Sequence, residues 1–180
     1  LLGWAWSHMS PEGGRGLATP ARALNLLSAM CAALAVAFTY LLAHSLSEAS
    51  LPRTPAWLQR LAGLLAALTF AFTPTFWSQA IVAEVYALHA ALVALILWLA
   101  VTWRKGIDAA EETPGAAKED TSRRPGPGGV LAALALAFGL GLAHHRTTLL
   151  LAPVLLVFLW LGANRGYWRR RWRWLATMGL

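Results

Sequence analysis

The sequence has 180 residues, of which 58% are hydrophobic and only 13% are charged. An average soluble domain has about 45–50% apolar and about 25% charged residues, so the composition excludes an ordinary water-soluble globule. It also leaves too few charges to keep a disordered chain or a coiled coil solvated. The long alanine and leucine runs predict an all-α protein, a polytopic transmembrane helix bundle.

A segment of about 20 apolar residues can cross a bilayer. The first and third apolar segments reach that length, and the second comes close to it. The first covers residues 23–43 and follows Thr19-Pro20, a suitable cap and first-turn proline. The second covers residues 57–72 and ends at Thr73-Pro74, because proline cannot continue the helical hydrogen bonds. The third covers residues 76–103 and is long enough to span with tilt.

Residues 104–129 interrupt this pattern with ten of the 23 charged residues, five of each sign, and end in a Pro/Gly-rich stretch. They predict a flexible charged loop. Residues 130–143 and 147–163 then form two short apolar runs, which brings the total to about five apolar helices. The first of these runs gives about 21 Å of helix against a hydrocarbon core of roughly 30 Å. We therefore expect neither run to reach full spanning length.

Both ends of the sequence lie in apolar stretches, without a basic leader and cleavage site, so we interpret the chain as a fragment that packs against the remainder of its own chain. The predicted organisation is a tail of an extracytoplasmic loop (1–20), three transmembrane helices (21–103), a cytoplasmic loop (104–129), two short transmembrane helices (130–163), and a basic aromatic interfacial segment that begins a further helix (164–180).

Positive charge sets the predicted orientation. Three of the fifteen lysine and arginine residues are Arg15, Arg22 and Arg146, and the other twelve fall on one predicted side. Because cytoplasmic loops are enriched in lysine and arginine, we expect a multi-pass protein of the cell inner membrane. Residues 1–20, 73–79 and 144–146 would then lie on the extracytoplasmic side.

The segment from Arg165 to Arg173 interleaves arginines with aromatic residues, a pattern also found in grooves that bind single-stranded nucleic acid. Because it adjoins a predicted span, we interpret it as an interfacial anchor on anionic lipid. We expect no nucleic-acid partner.

Glu84 and Arg146 are the isolated charges of the apolar segments. Glu84 is the only formal charge between residues 61 and 103, and Arg146 is the only one between residues 130 and 164. Charges inside a membrane must be paired or face a polar cavity. Either the two residues form a structural ion pair, or Arg146 lines a cavity with His145 and His144 and binds an anion such as phosphate. Both arrangements can coexist.

Other polar residues give weaker signals. Asn25 and Gln79 are candidates to line the same cavity as Glu84, although Asn25 and its neighbour Ser28 could equally form hydrogen bonds between helices. His89 does not share the helix face of Glu84, and we expect it to be a packed or interhelical histidine.

Metal ligands and nucleotide loops are not indicated. His89 has no second histidine or carboxylate one turn away, so we predict no protein-only metal site.

Small residues repeat at four-residue spacing and predict faces for close helix packing. These faces comprise Ala29, Ala33 and Ala37 in the first apolar segment (23–43) and Ala135, Gly139 and Ala143 in the fourth (130–143).

Four sequence blocks together resemble a known family: ALNLLSA (23–29), FWSQA (76–80), AEVYALH (83–89) and GLGLAHHRTT (139–148). The chain is similar to a bacterial multi-pass membrane family, long labelled a domain of unknown function, with the C-type glycosyltransferase fold. A eukaryotic relative of that family is a protein O-mannosyltransferase of the endoplasmic reticulum.

The resemblance implies a transferase that moves a sugar from a polyprenyl-phosphate donor to an acceptor on the outer face. We expect no cofactor. It also implies a catalytic carboxylate in an acidic first outer loop, of which residues 1–9 would be the tail. The general base is therefore expected upstream of residue 1, and this chain alone would be inactive. Arg146 and His145 would serve the donor phosphate, and Glu84 would orient them or help to hold a metal or the acceptor. The competing class is a transporter or lipid-handling membrane protein, in which the same charges mark a substrate path.

Overall fold

The structure is a computed structural model that describes residues 20–80, 86–112 and 126–163. These residues form helices and connecting turns, and no strand occurs among them, which confirms the all-α prediction. In chain order the elements are α1 (Pro20–Ser50), α2 (Ala56–Ala71), α3 (Pro74–Ala80), α4 (Tyr86–Glu112), α5 (Pro127–His144), a 3₁₀ helix (Arg146–Leu151) and α6 (Ala152–Ala163).

The described residues contain four segments that are long and apolar enough to cross a membrane. Helices α2 and α3 together could make a fifth span, bent by 69° at their junction. The predicted polytopic bundle of about five apolar helices is therefore confirmed. The four spans are Arg22–Ser50, Tyr86–Ala109, Pro127–His144 and Arg146–Ala163.

The expectation that the last two spans are too short was wrong. Each has 18 residues, which gives about 27 Å for Pro127–His144 at the α-helical rise of about 1.5 Å per residue. The last span is somewhat longer because its first six residues form a 3₁₀ helix, which rises about 2.0 Å per residue. Helix α5 starts earlier than predicted because Gly126 takes an extended N-cap conformation and Pro127 fits the first helical turn. The last span gains length because the 3₁₀ helix begins at Arg146, directly after the break.

The helices alternate in direction, so the bundle has two ends. The histidine end, named for His89 and His145, brings together the start of α4 and the junction after α5, where the two imidazole rings lie 4.7 Å apart. At the opposite, ion-pair end, Lys105 of α4 contacts Glu48 near the end of α1. The 3₁₀ helix and α6 run back toward the ion-pair end, where Gly162 packs against Trp103.

The main core lies between α4, α5 and α6. Ile96 is fully buried, and it packs in one cluster with Leu134 of α5 and Leu155 of α6. In a bundle surrounded by lipid, such contacts stabilise through close packing more than through exclusion of water. Small residues make that close packing possible, as at Gly141, where a Cβ atom would lie 2.8 Å from Cγ2 of Thr148.

The predicted small-residue packing faces were wrong. Residues 29, 33 and 37 of α1 are exposed, whereas Ala32 and Ala35 are buried. Likewise residues 135, 139 and 143 of α5 are exposed, and the helix packs through Leu134, Ala137 and Gly141 instead. Residues 29–37 and 135–143 are apolar on every side, so small-residue spacing occurs on more than one face and the shape of the neighbouring helix decides which face packs.

Two helices extend beyond their predicted ends. Helix α1 continues to Ser50 and ends where Leu51 precedes Pro52, a position that disfavours helical backbone. Helix α4 continues to Glu112, so the first part of the predicted 104–129 loop is helical, and residues 113–125 lie outside the described residues. Arg104 and Asp108 support this extension with an ion pair of 3.5 Å across one helical turn.

The break between α2 and α3 falls at Thr73-Pro74, as predicted. Thr73 donates its hydroxyl to the carbonyl oxygen of Phe70 at 2.9 Å, and its own carbonyl accepts from the backbone N–H of Trp77. The predicted third helix, residues 76–103, thus appears as α3 and α4, and residues 81–85 between them lie outside the described residues. Phe76 of α3 packs against a small cluster that includes Ala87 of α4, which brings α3 to the histidine end.

Candidate functional site

The three residues predicted to hold the donor phosphate lie at the junction between α5 and the 3₁₀ helix. His144 ends α5 and is half-buried, His145 connects the two helices and is half-buried, and Arg146 opens the 3₁₀ helix and is exposed. Three consecutive polar side chains therefore occupy a bend between two apolar spans.

Backbone hydrogen bonds fix this bend. His145 has an extended backbone (φ −148°, ψ 121°), which ends α5, while its N–H still donates to the carbonyl of Gly141 at 2.8 Å. Its carbonyl accepts from the N–H of Thr148 at 3.0 Å, and its side chain caps the 3₁₀ helix by accepting from the N–H of Thr147 at 3.3 Å. The conformation of His145 is thus held from both sides.

A second histidine reaches the bend from α4. His89 Nε2 lies 3.1 Å from the hydroxyl oxygen of Thr147, and that oxygen lies 2.6 Å from Nδ1 of His145. One hydroxyl therefore connects two imidazoles on different helices. Tyr86, one turn before His89, places its ring 6.4 Å from that of His145. We call His89, His145 and Thr147 the histidine cluster.

Two polar atoms beside the cluster are buried and have no hydrogen-bond partner among the described residues: Nδ1 of His89 and the hydroxyl oxygen of Thr148. Thr148 is fully buried between Gly141 and Ile96. Each unsatisfied buried group costs about 1–3 kcal/mol of stability. Exceptions of this kind call for an explanation, and they often occur at functional sites.

The guanidinium of Arg146 forms no ion pair with any residue of 20–80, 86–112 or 126–163. The predicted partner, Glu84, lies outside the described residues, so the predicted Glu84–Arg146 pair stays a prediction. An exposed guanidinium next to an imidazole can bind an anion, because its fork of N–H donors matches two oxygens of a phosphate or carboxylate.

The remaining predicted cavity residues lie on α1 and α3. Asn25 is exposed, and Gln79 is half-buried. The backbone carbonyl of Gln79 accepts a hydrogen bond from the buried hydroxyl of Ser28 at 3.5 Å, so Ser28 connects α1 to α3. The cavity-lining roles of Asn25 and Gln79 stay predictions.

His89 was placed correctly as an interhelical histidine, but its connection to His145 was missed. Its hydrogen-bond partner, Thr147, is 58 positions away in the sequence, so the residues one turn from His89 give no signal of this contact. The available signal was a histidine in an apolar span, since polar residues within spans usually face a partner or a cavity. Within the described residues, no group of three or more His, Cys, Asp or Glu side chains could hold a metal ion.

Comparison with known proteins adds one result. No curated protein and no solved structure matches the chain. A family model described as "Protein O-mannosyl-transferase TMEM260 N-terminal domain" matches residues 1–166. That range includes the histidine cluster and every described helix of the bundle. The chain therefore belongs to the family of the TMEM260-type protein O-mannosyl-transferase N-terminal domain.

Proposed function

We propose that the protein is part of a membrane glycosyltransferase that moves a sugar from a polyprenyl-phosphate donor to an acceptor on the extracytoplasmic side. The donor phosphate would lie at the histidine end, against Arg146, His145 and His144. The observation that carries this proposal is the bend after α5, where a guanidinium without a described counter-charge follows a histidine held by Thr147. The family match supports the transferase activity.

The chemistry of the proposed reaction requires cations at this position. The acceptor hydroxyl attacks the anomeric carbon and gives up its proton to a base outside the described residues, the bond from that carbon to the phosphate oxygen breaks, and the lipid phosphate leaves with additional negative charge. Hydrogen-bond donors aimed at that charge lower the barrier. Arg146 would supply a bidentate contact, and the histidines would supply single N–H donors. We assign no general base to the described residues, and we propose that Glu84 lines the same cavity and orients Arg146 and the histidines.

The glycosyltransferase type, the membrane location and the lipid contact that we propose each rest on a different observation. A C-type glycosyltransferase arrangement is compatible with an all-α bundle of four or five spans. Location in the cell inner membrane, with the histidine end outside, is supported by the uneven distribution of lysine and arginine. Binding of anionic lipid by residues 165–173 rests on the sequence alone, because these residues lie outside the described part of the chain.

Replacement of Arg146 by lysine tests the donor site. Arg146→Lys keeps the charge but loses the bidentate fork, so we expect transfer from a polyprenyl-phosphate sugar to fall about tenfold, equivalent to about 1.4 kcal/mol. The measurement is sugar transfer by the purified full-length protein, with thermal stability recorded in the same detergent.

Arg60→Lys is the matched control, since Arg60 is an exposed arginine of α2. We expect it to leave transfer unchanged. Wild-type transfer by Arg146→Lys would refute the phosphate role, and a loss of transfer that only follows a loss of folded protein would favour a structural role.

Cysteine labelling tests the sidedness. Cys31 is buried and can be replaced by alanine to give a background for the single variants Thr75→Cys and Arg53→Cys, both at exposed positions. We expect an impermeant maleimide to label position 75 in intact cells and position 53 only after permeabilisation. The reverse preference would overturn the proposed orientation.

A further inference from the structure

We propose that Thr147 and His89 are positioning residues that hold His145 in its neutral form with the proton on Nε2. His145 would then donate a hydrogen bond from Nε2 to a phosphate oxygen next to Arg146. The identity of this anion as a phosphate rests on the proposed function, whereas the position of the proton follows from the histidine cluster itself.

The first step concerns Nδ1 of His145. The backbone N–H of Thr147 points at this atom over 3.3 Å. A backbone N–H can only donate, so this contact requires a lone pair on Nδ1; at 3.3 Å it is longer than an ordinary hydrogen bond, and the shorter contact of the Thr147 hydroxyl must add to it to hold this form. A neutral imidazole carries one N–H, and the proton of His145 is therefore on Nε2.

The second step concerns the hydroxyl of Thr147, which lies 2.6 Å from the same Nδ1. Because Nδ1 is an acceptor, the hydroxyl must donate to it and thereby uses its only hydrogen. Toward His89 the hydroxyl oxygen can then only accept, so Nε2 of His89 must donate over 3.1 Å. The hydrogen bonds run in one direction, from His89 through Thr147 to His145.

His89, at the buried end of this series of hydrogen bonds, favours the same direction of donation. With its proton on Nε2, His89 has a lone pair on Nδ1, and that atom is buried without a hydrogen-bond partner among the described residues. A second proton there would bury both a charge and an unsatisfied donor, which costs more than an unsatisfied lone pair. His89 is therefore suited to remain neutral and to serve as the fixed donor of the cluster.

Nε2 of His145 is the opposite end of this series of hydrogen bonds. No described residue accepts a hydrogen bond from it, and the imidazole is half-buried. The rings of His89 and Tyr86, at 4.7 and 6.4 Å, restrict the orientation of the His145 ring. An oriented N–H donor directly before an exposed arginine is complementary to an anionic oxygen, and phosphate oxygens are the anions that a lipid-phosphate donor presents.

Nitrogen NMR of the imidazoles tests the proton position. Full-length protein carrying ¹⁵N-histidine is compared with His145→Gln, which identifies the signals of His145. We expect a protonated Nε2 and an unprotonated Nδ1 in the wild type. Thr147→Val should introduce the Nδ1-protonated form, and Thr147→Ser, which keeps the hydroxyl, should restore the wild-type pattern. A wild type protonated on Nδ1, or a Thr147→Val spectrum identical to the wild type, would overturn the proposal.

His89 provides an independent pair of variants that does not depend on how Thr147→Val folds. A glutamine side chain carries an N–H₂ group that can donate to Thr147, whereas leucine carries no donor. We expect His89→Gln to keep the wild-type proton position of His145, and His89→Leu to add a fraction of the Nδ1-protonated form, because the Thr147 hydroxyl is then free to accept from Nδ1. Identical spectra of these two variants would remove His89 from the positioning role.

Binding of two probes, inorganic phosphate and a short-chain polyprenyl monophosphate, tests the consequence. We expect the Kd of the polyprenyl monophosphate to rise about tenfold in Thr147→Val, or about 1.4 kcal/mol, and to stay near the wild-type value in Thr147→Ser. Thr39→Val is the matched control, since the hydroxyl of Thr39 only donates to the Ala35 carbonyl within α1.

The outcomes separate this inference from the proposed function. If the wild type binds neither probe, the donor site itself is refuted. If the wild type binds and Thr147→Val binds equally well, the positioning role is refuted and the donor site stands. Binding of the polyprenyl monophosphate alone would identify a lipid phosphate as the ligand, and equal binding of both probes would identify the phosphate group as the recognised element.

Discussion

The two ends of the bundle use polar side chains in opposite ways. At the ion-pair end, Glu48 contacts Lys105 at 2.5 Å and Nε2 of His44 at 4.0 Å, so Glu48 and Lys105 compensate each other. At the histidine end, His89 and His145 are connected through a hydroxyl, and the adjacent arginine has no described counter-charge. Compensated charges hold helices together, whereas uncompensated donors remain available to an anion.

The energetic balance of the two ends is similar. The side chains of Glu48 and Lys105 are 42% and 40% exposed, and exposed ion pairs are worth only about 0–1 kcal/mol because solvent screens them. Each end also carries two buried polar atoms without a hydrogen-bond partner among the described residues, each with a cost of about 1–3 kcal/mol. They are Nδ1 of His89 and the hydroxyl oxygen of Thr148 at the histidine end, and Nδ1 of His44 and Nε of Arg104 at the ion-pair end. The ends therefore differ in how their charges are compensated rather than in the number of unsatisfied atoms.

Gly141→Ala, at the histidine end, is expected to have the largest effect on stability and on sugar transfer. The added Cβ would lie 2.8 Å from Cγ2 and 3.2 Å from the hydroxyl oxygen of Thr148, which is fully buried. Thr148 must therefore shift, and we expect the adjacent Thr147 to be displaced with it. We expect a loss of about 1–3 kcal/mol in stability from overpacking and a loss of transfer beyond that stability loss. Unfolding in detergent and transfer at equal folded fraction measure the two effects.

Two other glycines serve as controls for this prediction. Gly139→Ala adds a methyl group that meets no atom within 4 Å, so both stability and transfer should be retained. Gly162→Ala would place its Cβ 2.6 Å from the Trp103 ring at the ion-pair end; stability should fall while transfer per folded molecule is retained. Equal transfer losses in Gly141→Ala and Gly162→Ala would show that the two ends do not differ in function.

The sequence predicted the helices well because hydropathy and proline placement determine them. The break at Thr73-Pro74 and the all-α bundle follow from the chain itself. The packing faces did not follow, because residues 29–37 of α1 and 135–143 of α5 are apolar on all sides and their periodicity marks no preferred face. Ala29 and Gly139 were therefore assigned to interfaces although both are exposed.

The site was predictable only in part, for a related reason. His145 and Arg146 stood out because they interrupt an apolar run. His89 joined them only in three dimensions, because its partner lies on an element distant in the sequence. The helical end of α4 was likewise unpredictable from local composition, since Lys105 is paired with Glu48 of α1.

The smallest effect is expected at the ion-pair end. Glu48→Gln and Lys105→Met each remove one partner of a contact that joins α1 to α4. Because both side chains are about two-fifths exposed, the coupling energy in a double-mutant cycle should be below about 1 kcal/mol and should shrink as salt is added. Transfer should be unchanged, because neither residue lies at the histidine end. A coupling of several kcal/mol would mean that the pair is shielded from solvent and salt. A transfer loss larger than that of Arg146→Lys would move the functional site to this end of the bundle.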